Sequence, residues 1–382
     1  MPTPRLSRRS FLWAAGVTLA GGITAARLPG HASAAIGPGA EQAPDVRRLV
    51  TGLPDLSGVP RSPNVLEILP EGTVAPEPDL LARIRLFGDM HFGFTSRARL
   101  NAVADDLATL PPPDALLTVG DDTHFGTESE YASATKWIRQ WNAPFYTVTG
   151  NHTFWSETAL HDETSDVLYQ RFVDRWGQPM PYSWELAGVR FVGAGPRAAG
   201  PGTTQASLSL DQIDELAATL AAAPDMPTVL VMHSPLHHTV LGDIAKLHDC
   251  YTSDDPGFYQ TNSEKILATL ATAPQVALVI NGHTHSPLEA KGLVAMLNAG
   301  DHTVPQFNAM ALPFVRRLMR AGPYGGQELM TWELGIADHY LLLRGRDHLS
   351  RRLAARVTVP LSTALSMPAQ PQMVQPTQGI WV

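Results

Sequence analysis

Six short apolar runs rich in β-branched or aromatic residues recur along the middle of the chain: IRLF (84–87), ALLTV (115–119), FYTV (145–148), VRFVGA (189–194), TVLVM (228–232) and VALVI (276–280). Runs of four to six such residues are the length of buried strands and too short for helices. Helical patterns fall between them. LNAVADDLATL puts Leu100, Val103, Leu107 and Leu110 on one face, and SLDQIDELAATL does the same with Leu210, Ile213, Leu216 and Leu220. Ser209 with Gln212 forms a capping box before the second helix. Strands alternating with helices predict an α/β sheet covered on its faces. Further on, GLVAML (292–297), TVPQFNAMAL (303–312) and TWELGIADHYLLLRG (331–345) read as a run of strands. Their order favours a mixed sheet or a two-sheet sandwich over a purely parallel sheet.

Five of the six runs end in a polar cluster. IRLF leads into Gly88-Asp89-Met90-His91, ALLTV into Gly120-Asp121-Asp122, and FYTV into Thr149-Gly150-Asn151-His152. TVLVM leads into His233-Ser234-Pro235, and VALVI into Asn281-Gly282-His283-Thr284-His285. In open α/β sheets ligands bind beyond the carboxyl ends of strands, so clusters spread over almost two hundred residues can converge there. Carboxylate, amide oxygen and imidazole suit Zn, Fe or Mn. Seven such groups, Asp89, His91, Asp121, Asn151, His233, His283 and His285, are enough for two ions sharing one carboxylate. The neighbouring Gly88, Gly120, Gly150 and Gly282 are expected to permit tight strand-to-loop turns.

The ordered set D-x-H, G-D, G-N-H, H-x-P and G-H-x-H resembles the calcineurin-like metallophosphoesterase superfamily over residues 82–345. The resemblance implies a four-layer α/β/β/α sandwich, two mixed sheets flanked by helices. It implies that Asp89, His91 and His285 hold one metal, that Asn151, His233 and His283 hold a second, and that Asp121 bridges them. It implies that His152 is the general acid in the hydrolysis of a small-molecule phosphoester by metal-activated water. The two divalent or trivalent ions would be Fe, Mn or Zn. A scaffold that kept this fold without catalysis would be expected to have lost ligands or the catalytic histidine, and all eight residues are present. Two departures stand out. The position three residues after Asp121, an acid or tyrosine in many members, is His124, and the extra acid is Asp122, which reads as an exposed loop acid or a substitute for the orienting carboxylate. No separate C-terminal substrate domain of the kind many nucleotidases carry fits after residue 345, which favours phosphodiester or broad specificity over a nucleotide or sugar phosphomonoester.

The remaining segments set context. Residues 1–34 combine Arg8-Arg9, a glycine-interrupted apolar stretch and an A-x-A site at Ala32-Ser33-Ala34. They read as a twin-arginine (Tat) signal, with the Tat machinery as partner, the periplasm or exterior as destination, and no membrane span after cleavage. Losing that segment removes four arginines and no acids, taking the net charge from −8 to −12. So acidic a chain lacks the basic face of a nucleic-acid binder, and an anionic substrate would need bound cations to attract it. Residues 35–80 form a Pro/Gly-rich lead segment with one short strand near NVLEIL. Residues 81–350 are expected to be the phosphoesterase domain and 351–382 a C-terminal tail. The stretch 242–262 is a candidate lid. His237 and His238 are pocket or solvent residues, Trp155 is expected in the core, and Asn308 could reach the site.

Overall fold

The computed structural model describes residues 66–70, 73, 78–155, 163–200, 203–240, 251–288, 292–312 and 329–361. The signal-like residues 1–34 and the lead segment before residue 66 lie outside these. Thirteen strands among the described residues form two mixed sheets, one of seven and one of six.

The seven-stranded sheet has the order β1 (Glu67–Ile68), β13 (Arg352–Pro360), β12 (Tyr340–Asp347), β11 (Met330–Ile336), β2 (Ala82–Phe87), β3 (Ala115–Thr118), β4 (Phe145–Tyr146). Its last three strands run parallel, with Ile84 opposite Ala115 and Leu116 opposite Phe145. The others are antiparallel, β11 pairing with β2 through Trp332 and Leu86. The six-stranded sheet has the order β5 (Tyr182–Leu186), β6 (Val189–Ala194), β7 (Thr228–Met232), β8 (Val276–Asn281), β10 (His302–Asn308), β9 (Val294–Ala299). Strands β6, β7, β8 and β10 are parallel neighbours.

The uninterrupted apolar runs reflect strands buried on both faces. On β7, Val229 and Val231 join the core shared by the two sheets, while Leu230 and Met232 join the core beneath the helices. Helices α4 (Leu210–Ala221) and α5 (Ser263–Ala271) cover that second face with Ile213, Leu216, Leu220, Ile266 and Leu270. The predicted capping box opens α4: Ser209 Oγ accepts from Gln212 N (3.3 Å), and Gln212 Oε1 accepts from Ser209 N (3.2 Å). Between the sheets, Trp332 of β11 meets Phe307 of β10 edge to face, centroids 4.7 Å apart. On the outer face of the first sheet, Phe87 packs against Trp137 of α2 (Glu128–Ile138), centroids 5.4 Å apart. Beside α2, α1 (Arg97–Leu107) buries Leu100, Val103 and Leu107. α3 (Ser165–Trp176) closes the β4 edge, its Trp176 ring 4.7 Å from Phe145.

The expected tail boundary at residue 351 is overturned by β13. Arg352–Pro360 lies between β12 and β1, with Ala354, Ala355, Val357 and Val359 buried. Its alternating register against β12 buries one face, which a run such as RLAARVTVP satisfies as a strand. No helix among the described residues is long and apolar enough to cross a membrane.

Candidate metal centre

The parallel strands of the two sheets deliver the five polar clusters to one place. Asp89 and His91 follow β2, Asp121 follows β3, and Asn151 and His152 open a 3-10 turn (Asn151–Phe154) after β4. From the other sheet, His233 follows β7, and His283 and His285 follow β8. Cross-loop hydrogen bonds hold them together: His91 N to Asp121 O (2.8 Å), Gly282 N to His233 O (2.9 Å) and His283 N to Asp89 Oδ2 (2.9 Å). All seven candidate ligands are buried.

They sort into two half-sites. The ligand atoms of Asp89, His91 and His285 lie within 4.8 Å of one another, as do those of Asp121, His233 and His283. In the first, His285 Nε2 is 3.0 Å from Asp89 Oδ2 and 3.2 Å from His91 Nε2. In the second, His233 Nε2 is 3.1 Å from Asp121 Oδ2, 3.1 Å from His283 Nδ1 and 3.2 Å from Asn151 Oδ1. Asp121 Oδ2 also lies 3.9 Å from His91 Nε2, so this one oxygen stands between the half-sites.

The hydrogen-bond pattern fits a pair of cations. His233 Nδ1 donates to the Val119 carbonyl (2.8 Å) and His283 Nε2 donates to the Gly257 carbonyl (2.9 Å). Each outward nitrogen thus carries a proton, and His233 Nε2 and His283 Nδ1 are left facing each other 3.1 Å apart. Two nitrogens at that distance need a positive charge between them, a proton on His233 in the metal-free protein or a bound cation. Locking the outer N–H on a carbonyl is how metal-binding imidazoles are oriented. Asn151 Nδ2 donates to the Thr203 carbonyl (3.4 Å), which turns Oδ1 inward. Asp89 Oδ1 and Asp121 Oδ2 are buried and accept no hydrogen bond of good geometry, an arrangement costly without a cation.

Backbone strain marks the same residues. His91, Asp121, His283 and His285 have φ of 45°, 50°, 69° and 49°. Left-handed backbone costs about 1 kcal/mol or more per non-glycine residue, and such strain concentrates at functional sites. The neighbouring glycines matter chiefly for space. Of the four singled out in sequence, Gly120 alone has positive φ (98°). Gly150 is required because a Cβ there would lie 2.1 Å from Asp121 Oδ1.

The electrostatics follow from burial and crowding. Burial disfavours a charge on His233, but Asp121 and Asp89 outweigh it and hold its pKa up at about 9. Burial, helped by the neighbouring His233 charge, pushes His283 down to about 3. Asp121 pays for burial too, yet the surrounding imidazoles hold its carboxyl well below the usual range. Burial lowers His91 and His152. In the metal-free protein the His233 proton thus sits among the carboxylates, and a bound cation would take its place.

His152 lies at the rim of this centre. Its Nδ1 donates to the His124 carbonyl (2.6 Å), leaving Nε2 to exchange protons, and its backbone N–H donates to Asp121 Oδ1 (3.0 Å). Asp122 is neither an exposed acid nor a partner of His152. It is buried, accepting from Thr118 Oγ1 (2.7 Å) and Thr147 Oγ1 (2.8 Å), and burial raises its pKa to about 7. Trp155, expected in the core, is half-buried against the site, its ring 4.0 Å from His152 and its Nε1 donating to Thr203 O (2.8 Å). Asn308 braces the GHTH loop from behind, donating to Gly282 O (2.8 Å) and accepting from Thr284 Oγ1 (3.0 Å). His237 stacks on Tyr259 and His238 pairs with Asp254 (2.6 Å); neither joins the two half-sites.

Sequence reasoning missed the supports that are carbonyls: Val119, Thr203 and Gly257 carry no side-chain signal for their role. It also missed Phe258, whose ring stacks on His283 with centroids 4.8 Å apart. Within the candidate lid, residues 242–250 lie outside the described residues, whereas Tyr251, Gly257 and Phe258 reach the centre, Tyr251 N donating to Thr284 O (2.9 Å).

A probable cyclic nucleotide phosphodiesterase of Synechococcus is 26% identical over 214 residues, 56% of this chain and 74% of the relative. Similar solved structures include a dimetal phosphatase from Danio rerio (TM-score 0.49, 12% identity, 74% of this chain and 100% of that one). Another is GAP50, the anchor in the inner membrane complex of Plasmodium (TM-score 0.46, 11% identity, 75% and 90%). The calcineurin-like phosphoesterase profile matches residues 82–287, from the first central strand through both histidines of GHTH, so the chain belongs to that family of metal-dependent phosphoric ester hydrolases.

Proposed function

We propose that this protein is an exported, dinuclear-metal phosphoesterase acting on phosphodiesters or a broad set of phosphate esters. Asp89, His91 and His285 would hold one Fe, Mn or Zn ion, Asn151, His233 and His283 the other, with Asp121 shared. The observation that carries this reading is the single buried Asp121 oxygen standing between two half-sites whose outward imidazole nitrogens are locked on carbonyls. Ions bound there would neutralise the phosphoryl oxygens and make water a usable nucleophile near neutral pH.

The chain's own residues supply the rest. Water adds at phosphorus and gives up a proton, the bond to the leaving oxygen breaks, and His152, entering the step as the imidazolium with its Nδ1–H on the His124 carbonyl, passes its Nε2 proton to the departing alkoxide and is reprotonated from solvent. Trp155 and His124 flank that imidazole and limit its access to bulk water. The diester preference is supported by the Synechococcus relative, itself described as a probable phosphodiesterase. Export through the Tat pathway to the periplasm or exterior is supported by Arg8-Arg9 and the A-x-A site. That route would allow the metals to be loaded before translocation.

The test is hydrolysis of bis- and mono-(4-nitrophenyl) phosphate by purified mature protein with Mn, Fe or Zn, alongside metal analysis of variants. Two ions per chain and faster diester turnover are expected. Asp121→Ala should lose metal and activity together, whereas His152→Ala should keep both ions and lose roughly 10²–10⁴-fold in kcat on poor leaving groups. Two ions retained by Asp121→Ala would overturn the ligand assignment, and faster monoester turnover would overturn the diester preference.

A further inference from the structure

We propose that His124 is the positioning residue for His152, replacing the orienting carboxylate with a carbonyl and a stacked ring; this rests on the general-acid reading above. Three contacts define the arrangement. The His124 carbonyl accepts the His152 Nδ1–H at 2.6 Å. The His124 ring stacks on the His152 ring, centroids 4.8 Å apart and planes 28° apart. On its solvent side His124 is backed by the half-exposed ring of Phe94, centroids 4.7 Å apart and planes 30° apart.

The candidate alternative is absent from this role. Asp122, the acid beside the shared ligand, has both carboxyl oxygens engaged by the hydroxyls of Thr118 and Thr147. A carbonyl partner fixes the tautomer and in-plane direction of His152 but adds no negative charge to stabilise an imidazolium. The stacked ring supplies what a single hydrogen bond cannot: it stops the imidazole from rotating about the Nδ1–O axis. The edge of His91, 4.4 Å away at 86°, and Trp155 limit the same rotation from other directions. His124 also touches the metal centre, its Nδ1 lying 3.4 Å from Nδ1 of His91. One residue therefore links the orientation of a candidate ligand to that of the proton donor.

This arrangement predicts a particular kinetic signature. Misplacing a catalytic group by about 1 Å costs up to ~10²-fold in rate, but only where that group's proton transfer matters. The loss should therefore grow as the leaving group becomes more basic. The experiment uses phosphate esters graded from the aryl 4-nitrophenyl and phenyl esters to the alkyl benzyl ester, with saturating metal, on wild type, His124→Ala, His124→Phe and His152→Ala. His124→Ala should lose about 10–100-fold in kcat on the benzyl ester and under about 3-fold on the 4-nitrophenyl ester, with little change in KM. His124→Phe, which keeps carbonyl and ring face, should return the benzyl ester to within about 3-fold of wild type. In metal-free protein, NMR should show the His152 Nδ1–H proton slowly exchanging in wild type and His124→Phe, and rapidly exchanging in His124→Ala. Equal loss across the ester series in His124→Ala, no loss at all, or failure of phenylalanine to restore the benzyl ester overturns the proposal. A graded loss in His152→Ala with a flat response in His124→Ala leaves the general-acid reading standing and removes only this one. A flat response in His152→Ala removes the general-acid reading itself.

Discussion

Gly150→Ala places one methyl group inside the centre without altering any ligand. Gly150 has φ −114° and ψ −172°, a conformation alanine adopts freely, so the backbone gives no reason for glycine. Space does. The new Cβ would sit 2.1 Å from Asp121 Oδ1, 2.8 Å from Asp121 Cγ and 2.9 Å from His233 Cε1. The carboxylate must recede by at least about 1 Å to reach ordinary contact. Metal–ligand distances tolerate about 0.2 Å, so a displacement of that size removes the shared oxygen from both half-sites at once. The overpacking itself should cost about 1–3 kcal/mol, a fall in Tm of roughly 2–10 °C for a domain of this size. Gly177→Ala is the control: its φ is 69° at the end of α3 and nothing lies within 4 Å of the added Cβ. It should cost about 1 kcal/mol through backbone strain while leaving metal content untouched. The assay is metal stoichiometry and competition with a chelator, read beside thermal unfolding of the metal-free proteins. Gly150→Ala should bind at most one ion per chain, or two at least 10-fold more weakly. Two ions bound with wild-type affinity would refute the placement of Asp121 between the half-sites.

Other outcomes follow from groups away from the metals. Asp106 is buried and bonded to Arg346 (2.6 Å) and His348 (2.7 Å); burial opposes its charge, but these partners hold its pKa down at about 2. Its contribution is present above the unfolded value near 4 and is lost as pH falls towards 2. Discounted for the partly exposed Arg346, it is about 1–2 kcal/mol, so urea midpoints from pH 6 to pH 2.5 should fall more steeply in wild type than in Asp106→Asn. Parallel curves would remove Asp106 from that role. Glu333 is buried among Arg83, Arg85 and Arg344 on neighbouring strands. Glu333→Ala leaves buried Arg85 without that partner and should cost about 3–5 kcal/mol by urea unfolding without changing metal content; a cost under 1 kcal/mol contradicts this. Ser209→Ala removes the side-chain half of the α4 capping box and should cost about 1 kcal/mol, read as a shifted urea midpoint at unchanged slope.

The strands were legible because both their faces are buried. IRLF, TVLVM and VALVI have no alternation to confuse with an amphipathic helix, and IRLF and VALVI end beside a glycine, Gly88 or Gly282, that admits a close approach. β13 was missed because RLAARVTVP carries two arginines, Arg352 and Arg356, and alternates weakly, and only its pairing with β12 and β1 decides its state. Asp122 was misjudged for a related reason. An acid beside a ligand in a loop looks exposed, and the hydroxyls that satisfy it come from Thr118 at the end of β3 and from Thr147, 25 residues further along.

The candidate ligands were legible for a different reason from the strands. Side chains able to hold a metal announce their chemistry, and seven of them in fixed order after five apolar runs leave few arrangements open. What orients them is largely backbone. Val119, Thr203 and Gly257 act through carbonyls that any residue possesses, so their identity imposes almost no constraint that a reader of sequence could use. His124 lies between these cases. Its ring is a visible departure at the position where an acid or tyrosine is frequent, while its hydrogen bond to His152 is made by the carbonyl. Substituting the side chain can therefore separate the stacked ring from the hydrogen bond, a separation that a carboxylate partner would not allow.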